Sequence, residues 1–260
     1  MTYAETLQQR IVKTGSALCV GIDPRLDLHD SPAAIQAFCE QVIEETAEVA
    51  AAFKPNIAYF EALGVTGYQM IESLIGRMKT TGVPVILDAK RGDIGTTQEH
   101  YATGYFKLWD VDAVTLSPYM GFDSVEPFLQ YPGKGVYLLG VTSNPGAVDL
   151  ELHELANGRR VFELVGDMTT RAGSTPAGEG SIGLVLGLTN VSADVLARMP
   201  DVPLLIPGLG AQGGDLETLR GAKRLAPSVI NVSRGILYAD EHLSFSEKAK
   251  DYANRIASLS

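Results

Sequence analysis

Four charged side chains stand within six residues at the end of an apolar run: Val83–Leu87 is followed by Asp88, Lys90, Arg91 and Asp93. A β-branched and leucine-rich run reads as a buried strand. Strand side chains alternate faces, so Asp88 and Lys90 are expected on one side, roughly 7 Å apart along the strand. Asp93 follows on the loop. Charges in this position form either an ion-pair network that fixes geometry or a preorganised electrostatic site. Removing ions from water costs several kcal/mol each, a poor route to stability, so a chemical task accounts for them better.

Other polar residues follow apolar runs in the same way. Asp23 comes after the first run, where it either reaches a ligand or closes an Asx turn before Pro24. Lys54 ends the second run and leads into Pro55–Asn56; lysine is rarely buried unpaired. Thr142–Ser143–Asn144 follows the fifth, Pro207–Gly208–Leu209–Gly210–Ala211–Gln212–Gly213–Gly214 the seventh, and Ser233–Arg234–Gly235 the eighth. The last two read either as turn glycines beside a surface charge or as a phosphate grip. In the second case backbone N–H groups approach the anion closely and Arg234 supplies a planar, permanently charged donor.

The elements that must position these residues recur along the whole chain. The apolar runs are Ala17–Ile22, Ala52–Lys54, Val83–Leu87, Ala113–Leu116, Gly135–Val141, Ile182–Leu186, Val202–Ile206 and Val229–Val232. Segments of 3.6-residue period separate them: Ala33–Ala50, Tyr59–Thr80, Thr97–Leu108, Ser124–Gln130, Glu154–Arg171, Ser192–Met199, Gly214–Arg224 and Ser246–Leu259. Ser31 or Asp30 is placed to cap the first of these, with Pro32 in its first turn. Alternating strands and helices imply a parallel sheet, and nearly all-apolar strands imply one covered by helices. Eight such units in 260 residues predict an α/β fold, a (β/α)₈ TIM barrel forming a single domain over 1–260. An open doubly wound sheet is the runner-up, but Gly21–Ile22–Asp23–Pro24–Arg25 stands where G-x-G-x-x-G would be. A barrel gathers all the strand-end residues on one face, and that convergence favours the phosphate grip. Ala172–Gly180 reads as a surface loop.

Composition narrows the partners. A net charge of −10 argues against non-specific binding of nucleic acid or anionic membranes. Cys19 and Cys39 are isolated and read as buried reduced thiols. The four histidines form no HxH or HExxH pattern, so a protein-built metal site is not expected. No apolar run approaches 18 residues and the first ten carry no apolar signal region, which predicts a cytoplasmic protein. His100 and Glu99 are expected at the surface, and Trp109 and the tyrosines in packing or interfaces.

The pattern Asp88–x–Lys90–x–x–Asp93–Ile94–x–x–x–Thr97 resembles the signature of the orotidine 5′-phosphate decarboxylase family. Phe53–Lys54–Pro55–Asn56, the segment from Pro207 to Gly214 and Asn231–Val232–Ser233–Arg234–Gly235 extend the likeness over the whole chain, and Gly21–Ile22–Asp23–Pro24–Arg25 resembles the longer bacterial branch. The resemblance implies conversion of orotidine 5′-phosphate to UMP and CO₂ in de novo pyrimidine biosynthesis, with no cofactor. It implies that Lys90 protonates C6, that Asp88 lies against the substrate carboxylate, and that Lys54 and Asp23 hold the ribose. Ser143 would contact the pyrimidine and Pro207 would line the site. Gln212, Arg234 and the Gly235 amide would hold the phosphate. Asp93, Ile94 and Thr97 would reach the neighbouring site of a homodimer. Val141–Thr142 departs from the Glu–Met pair found before this serine in many relatives. The Asp-x-Lys-x-x-Asp core also occurs in metal-dependent sugar-phosphate decarboxylases and synthases of the same suprafamily, which is the alternative activity. A lysine Schiff-base aldolase and a non-catalytic phosphate-binding barrel are more distant possibilities.

Overall fold

The computed structural model describes residues 1–171, 180–208 and 224–258, and the eight apolar runs become eight parallel strands. They are β1 Leu18–Ile22, β2 Ala52–Pro55, β3 Ile86–Arg91, β4 Ala113–Leu116, β5 Gly135–Val141, β6 Ser181–Leu186, β7 Leu204–Pro207 and β8 Ser228–Val232. Their order is β2-β1-β8-β7-β6-β5-β4-β3. Parallel bridges Phe53–Val85 and Asn56–Asp88 rejoin the two ends, and the Phe53 N–H donates to the Pro84 carbonyl at 2.9 Å. The sheet is therefore a barrel, and the open doubly wound alternative fails because its edges pair. Two strands begin two or more residues later than the apolar pattern predicts. β3 starts after Pro84 and β7 after Pro203, since proline has no N–H for a ladder. The shift in β3 puts Asp88 and Lys90 on the strand itself.

Strand parity sorts the barrel interior into layers. Residues two apart share a face. On the inner face Cys19, Ala52, Ile86, Ala113, Tyr137 and Val229 form an apolar cluster, closed below by Tyr3 and Leu7 of the helix Tyr3–Thr14. The Tyr3 and Tyr137 hydroxyls meet at 3.1 Å, which satisfies two polar groups deep in that plug. One step along the same strands come Lys54, Asp88, Thr115 and Asn231, all buried. Apolar floor and polar mouth thus arise from one alternation. A second, larger core fills the space between the sheet and the surrounding helices. Cys19 and Cys39 are buried and free, and burial pushes both thiols up to about 12.

The helices depart from the 3.6-residue pattern where local chemistry overrides it. Pro32–Thr46 forms as expected, with the Ser31 hydroxyl accepting from the Ala34 N–H. The predicted helix Tyr59–Thr80 is two helices, Ile57–Glu61 and Gly64–Thr80. Within Thr97–Leu108 the α-helix Gly95–Thr103 gives way to a π-turn over Gly104–Leu108. Of Glu154–Arg171, only Val161–Thr170 is helical. The Asn157–Gly158 turn folds the preceding residues into an antiparallel bridge between Glu154 and Arg160. Ser124–Gln130 shortens to Glu126–Leu129, Ser192–Met199 to Ala193–Ala197 and Ser246–Leu259 to Phe245–Ala257. His100 and Glu99 are exposed as expected, and Trp109 packs against Tyr68 and Tyr105. Most of the segments predicted at Gly214–Arg224 and Ala172–Gly180 lie outside the described residues.

The two helices that replace Tyr59–Thr80 cross at Gly67, where an added Cβ would stand 1.8 Å from the Phe60 carbonyl oxygen. That neighbour is backbone and cannot rotate away. Gly67→Ala is expected to cost about 1–3 kcal/mol. A thermal melt should show a fall in Tm of roughly 2–4 °C per kcal/mol.

Candidate active site

The carboxyl ends of the strands enclose two joined compartments that share Lys54, Asp88 and Pro207. The larger, about 830 Å³, is lined by Asp23, Asn56, Gly208, Asn231, Ser233 and Arg234. The smaller, about 460 Å³, is lined by Lys90, Thr115, Thr142, Ser143, Glu151 and Val185. Seven of the site residues expected from sequence therefore border one continuous cavity: Asp23, Lys54, Asp88, Lys90, Ser143, Pro207 and Arg234.

At the junction a carboxylate is gripped by two ammonium groups. Asp88 Oδ2 accepts from Lys54 Nζ at 2.9 Å, and Asp88 Oδ1 accepts from Lys90 Nζ at 2.5 Å. Lys54 and Asp88 are buried, whereas the Lys90 side chain is 47% exposed toward the cavity. Burial alone would push the Asp88 carboxyl up; the two lysines outweigh it and hold the group well below the ordinary carboxylate range. Burial would likewise lower Lys54, but Asp88 and then Asp23 raise it above the ordinary lysine value. Both ions of the buried pair are thus kept charged by each other.

Lys90 does not reach this position by simple strand alternation. β3 and β4 are in register at Leu87–Val114 and again at Arg91–Leu116, so three residues of β3 oppose Thr115 alone. Lys90 lies at φ 46°, in the left-handed region that costs a side-chain-bearing residue of order 1–3 kcal/mol. The Ala89 and Lys90 N–H groups donate to Thr115 Oγ1 at 3.0 and 2.9 Å, and Thr115 Oγ1 lies 3.0 Å from Asp88 Oδ1. The bulge brings together two charged side chains that a regular strand would hold apart.

The Ser143 turn is held from two sides. Glu151 accepts from the Thr142 N–H at 2.7 Å and lies within 3.0 Å of its hydroxyl, while Asn190 Nδ2 donates to the Thr142 and Asn144 carbonyls. Ser143 backs directly onto Gly187, where an added Cβ would stand 2.5 Å from the Ser143 nitrogen. Across the cavity, Asp23 Oδ1, Asn231 Oδ1 and Ser233 Oγ are buried without a hydrogen-bond partner among the described residues. A polar atom in that state is either costly or waiting for a ligand.

Other predicted residues lie apart. Asp93, Ile94 and Thr97 are outside the cavity lining; Ile94 is 59% exposed, and Asp93 Oδ1 accepts from the Ile94 N–H. Gly235 follows Arg234 in the short helix Arg234–Leu237 but does not line the cavity. Gln212 lies outside the described residues. Sequence reading missed Thr115, Asn231 and Glu151. The first two carry a usable signal, since each sits two positions beyond an apolar inward residue, Ala113 and Val229. Glu151 carries none, because it arrives from an irregular loop. Among the described residues no three of His, Cys, Asp and Glu group as a metal site.

The Lys54–Asp88 pair has a definite pH signature. The contribution of Asp88 is complete above the ordinary carboxylate value of about 4 and is lost as pH falls toward its depressed native value. That of Lys54 is complete below about 10.4 and is lost as pH rises through its raised native value. Lys54→Met leaves Asp88 with Lys90 alone and should cost about 3 kcal/mol at pH 7. Urea titrations should show that difference from the parent chain narrowing below about pH 4.

Comparison with known proteins agrees with this geometry. Residues 16–249 match the model of the orotidine 5′-phosphate decarboxylase / HUMPS family. Curated orotidine 5′-phosphate decarboxylases from Roseiflexus sp. (strain RS-1) and Cupriavidus metallidurans are each 43% identical, covering 98% and 97% of this chain and 96% and 95% of their own. The solved structure of Leishmania donovani OMP decarboxylase is 38% identical with a TM-score of 0.86, over 100% of this chain and 99% of that one. With its lysine–aspartate–lysine junction at the mouth of an eight-stranded barrel, the chain belongs to the orotidine 5′-phosphate decarboxylase / HUMPS family.

Proposed function

We infer that this chain decarboxylates orotidine 5′-phosphate to UMP, acting as one catalytic domain over 1–260 in the cytoplasm. The observation that carries the reading is the ionised Asp88 held between Lys54 and Lys90 where the two compartments meet. Loss of CO₂ leaves an electron pair at C6, with no ring carbonyl conjugated to take it up directly. A cation preorganised at that carbon stabilises the charge as it develops. We assign this role to Lys90, which then donates a proton to C6. Asp88 aligns the Lys90 ammonium and lies against the departing carboxylate. Lys54 keeps Asp88 ionised and reaches toward the ribose.

The larger compartment suits the ribose phosphate. Asp23 and its unpartnered oxygen are assigned to a ribose hydroxyl, and Arg234 with the Gly235 amide and Gln212 to the phosphate. Pro207 borders both compartments, where sugar and base would join. Ser143 faces the smaller compartment and is assigned to the pyrimidine. Here Glu151, arriving from outside the strand, pins the turn that precedes it. Phosphate binding remote from C6 contributes binding energy that the reaction can use. No cofactor enters this scheme.

We further propose a homodimer in which Asp93, Ile94 and Thr97 complete the partner's site. Their position outside their own cavity and the exposure of Ile94 support it.

Incubating the protein with orotidine 5′-phosphate in EDTA should convert the substrate's ultraviolet spectrum into that of UMP, read as a falling absorbance on its long-wavelength side; dependence on added divalent metal would favour the sugar-phosphate alternative instead. Lys90→Ala should lower turnover by at least about 10⁴-fold with UMP binding retained, and near-normal activity in that variant would sink the mechanism. Mixing Lys90→Ala with Asp93→Ala chains should restore up to about a quarter of parent activity, because half the dimers then carry one intact site. No recovery on mixing would place Asp93 in its own subunit's site.

A further inference from the structure

We propose that Thr115 is a positioning residue for this reaction: its hydroxyl holds the β3 bulge that delivers Lys90 and fixes the orientation of Asp88. The inference rests on the roles assigned above to Lys90 and Asp88. A threonine oxygen has two acceptor sites and one proton. Both acceptor sites are taken, by the Ala89 N–H at 3.0 Å and the Lys90 N–H at 2.9 Å. The single proton is therefore directed to Asp88 Oδ1 at 3.0 Å. The direction of every bond in this cluster follows from counting.

The arrangement replaces a stretch of ladder. Between Leu87–Val114 and Arg91–Leu116, three β3 residues face one β4 residue, and backbone N–H groups there need another acceptor. Thr115 provides it from a side chain that is 1% exposed. A lysine at positive φ persists only where its surroundings over-determine it, and the Lys90 N–H bond is one such constraint. The other end of the same residue is anchored by its ammonium on Asp88, whose Oδ1 is shared with Thr115. One hydroxyl thus ties the backbone of the proton donor to the carboxylate that aligns it. Valine matches the shape of threonine and lacks both functions; serine keeps them.

The experiment compares the parent chain with Thr115→Val and Thr115→Ser, using Thr115→Ala should the valine variant fail to fold. In Thr115→Val, kcat on orotidine 5′-phosphate should fall roughly 10- to 100-fold with KM changed far less, because a small displacement of a reacting group weakens the chemical step. Thr115→Ser should recover most of that loss. Amide hydrogen exchange, read by NMR without substrate, should quicken at Ala89 and Lys90 in the valine variant by at least about tenfold relative to β5. An active parent with a valine variant of unchanged kcat overturns the proposal alone, even if Tm falls. Unchanged exchange at the two amides overturns the pinning itself. A parent chain inactive on orotidine 5′-phosphate overturns the assigned reaction and the catalytic part of this proposal together, while the exchange data still judge the bulge.

Discussion

A carboxylate that is 9% exposed stays ionised in this barrel because two ammonium groups reach it from different strands. Everything else at the mouth is arranged around that constraint. Lys54 approaches from β2, across the junction where the sheet closes with only isolated bridges, and Lys90 from Asp88's own strand, β3. The closure brings the Lys54 and Asp88 strands within reach, and their ion pair reinforces it. Electrostatics of this strength need low dielectric around them and full satisfaction of the buried atoms. The apolar layer beneath and the Thr115 hydroxyl beside them supply both.

How much of this was legible in the sequence depends on the kind of interaction involved. The strands were readable because a strand buried on both faces is apolar on nearly every residue, as in Gly135–Val141. Asp88, Lys90 and Lys54 were readable because charge at the end of an apolar run is rarely accidental. The starts of β3 and β7 follow Pro84 and Pro203, whose missing N–H outweighs the apolar pattern there and is itself visible in the sequence. Likewise Asn157–Gly158, a turn-forming pair, interrupts the period over Glu154–Arg171 and leaves Val161–Thr170 as the helix.

Other features had no local signal. The positive φ at Lys90 coincides with the register shift against β4 and cannot be inferred from β3 alone. Glu151 stands near Ser143 through the path of a loop, and the split between Glu61 and Gly64 lets the two helices cross at Gly67. Such features depend on the path the backbone takes between elements, which periodicity does not record. Strand parity does record part of it: alternation carried from β3 to β4 and β8 places Thr115 and Asn231 on the inner face, two residues beyond Ala113 and Val229.

The unpartnered oxygens of Asp23, Asn231 and Ser233 have a consequence for how this protein tolerates change. Among the described residues they meet no hydrogen-bond partner, and burying a polar atom in that way costs the fold. Apolar replacements there would relieve it, so selection for thermal robustness alone would erode the mouth of the barrel first. The interior floor has no such conflict, since packing is its whole role. The boundary between substitutions that protect the fold and substitutions that protect turnover therefore runs across each strand, two residues wide.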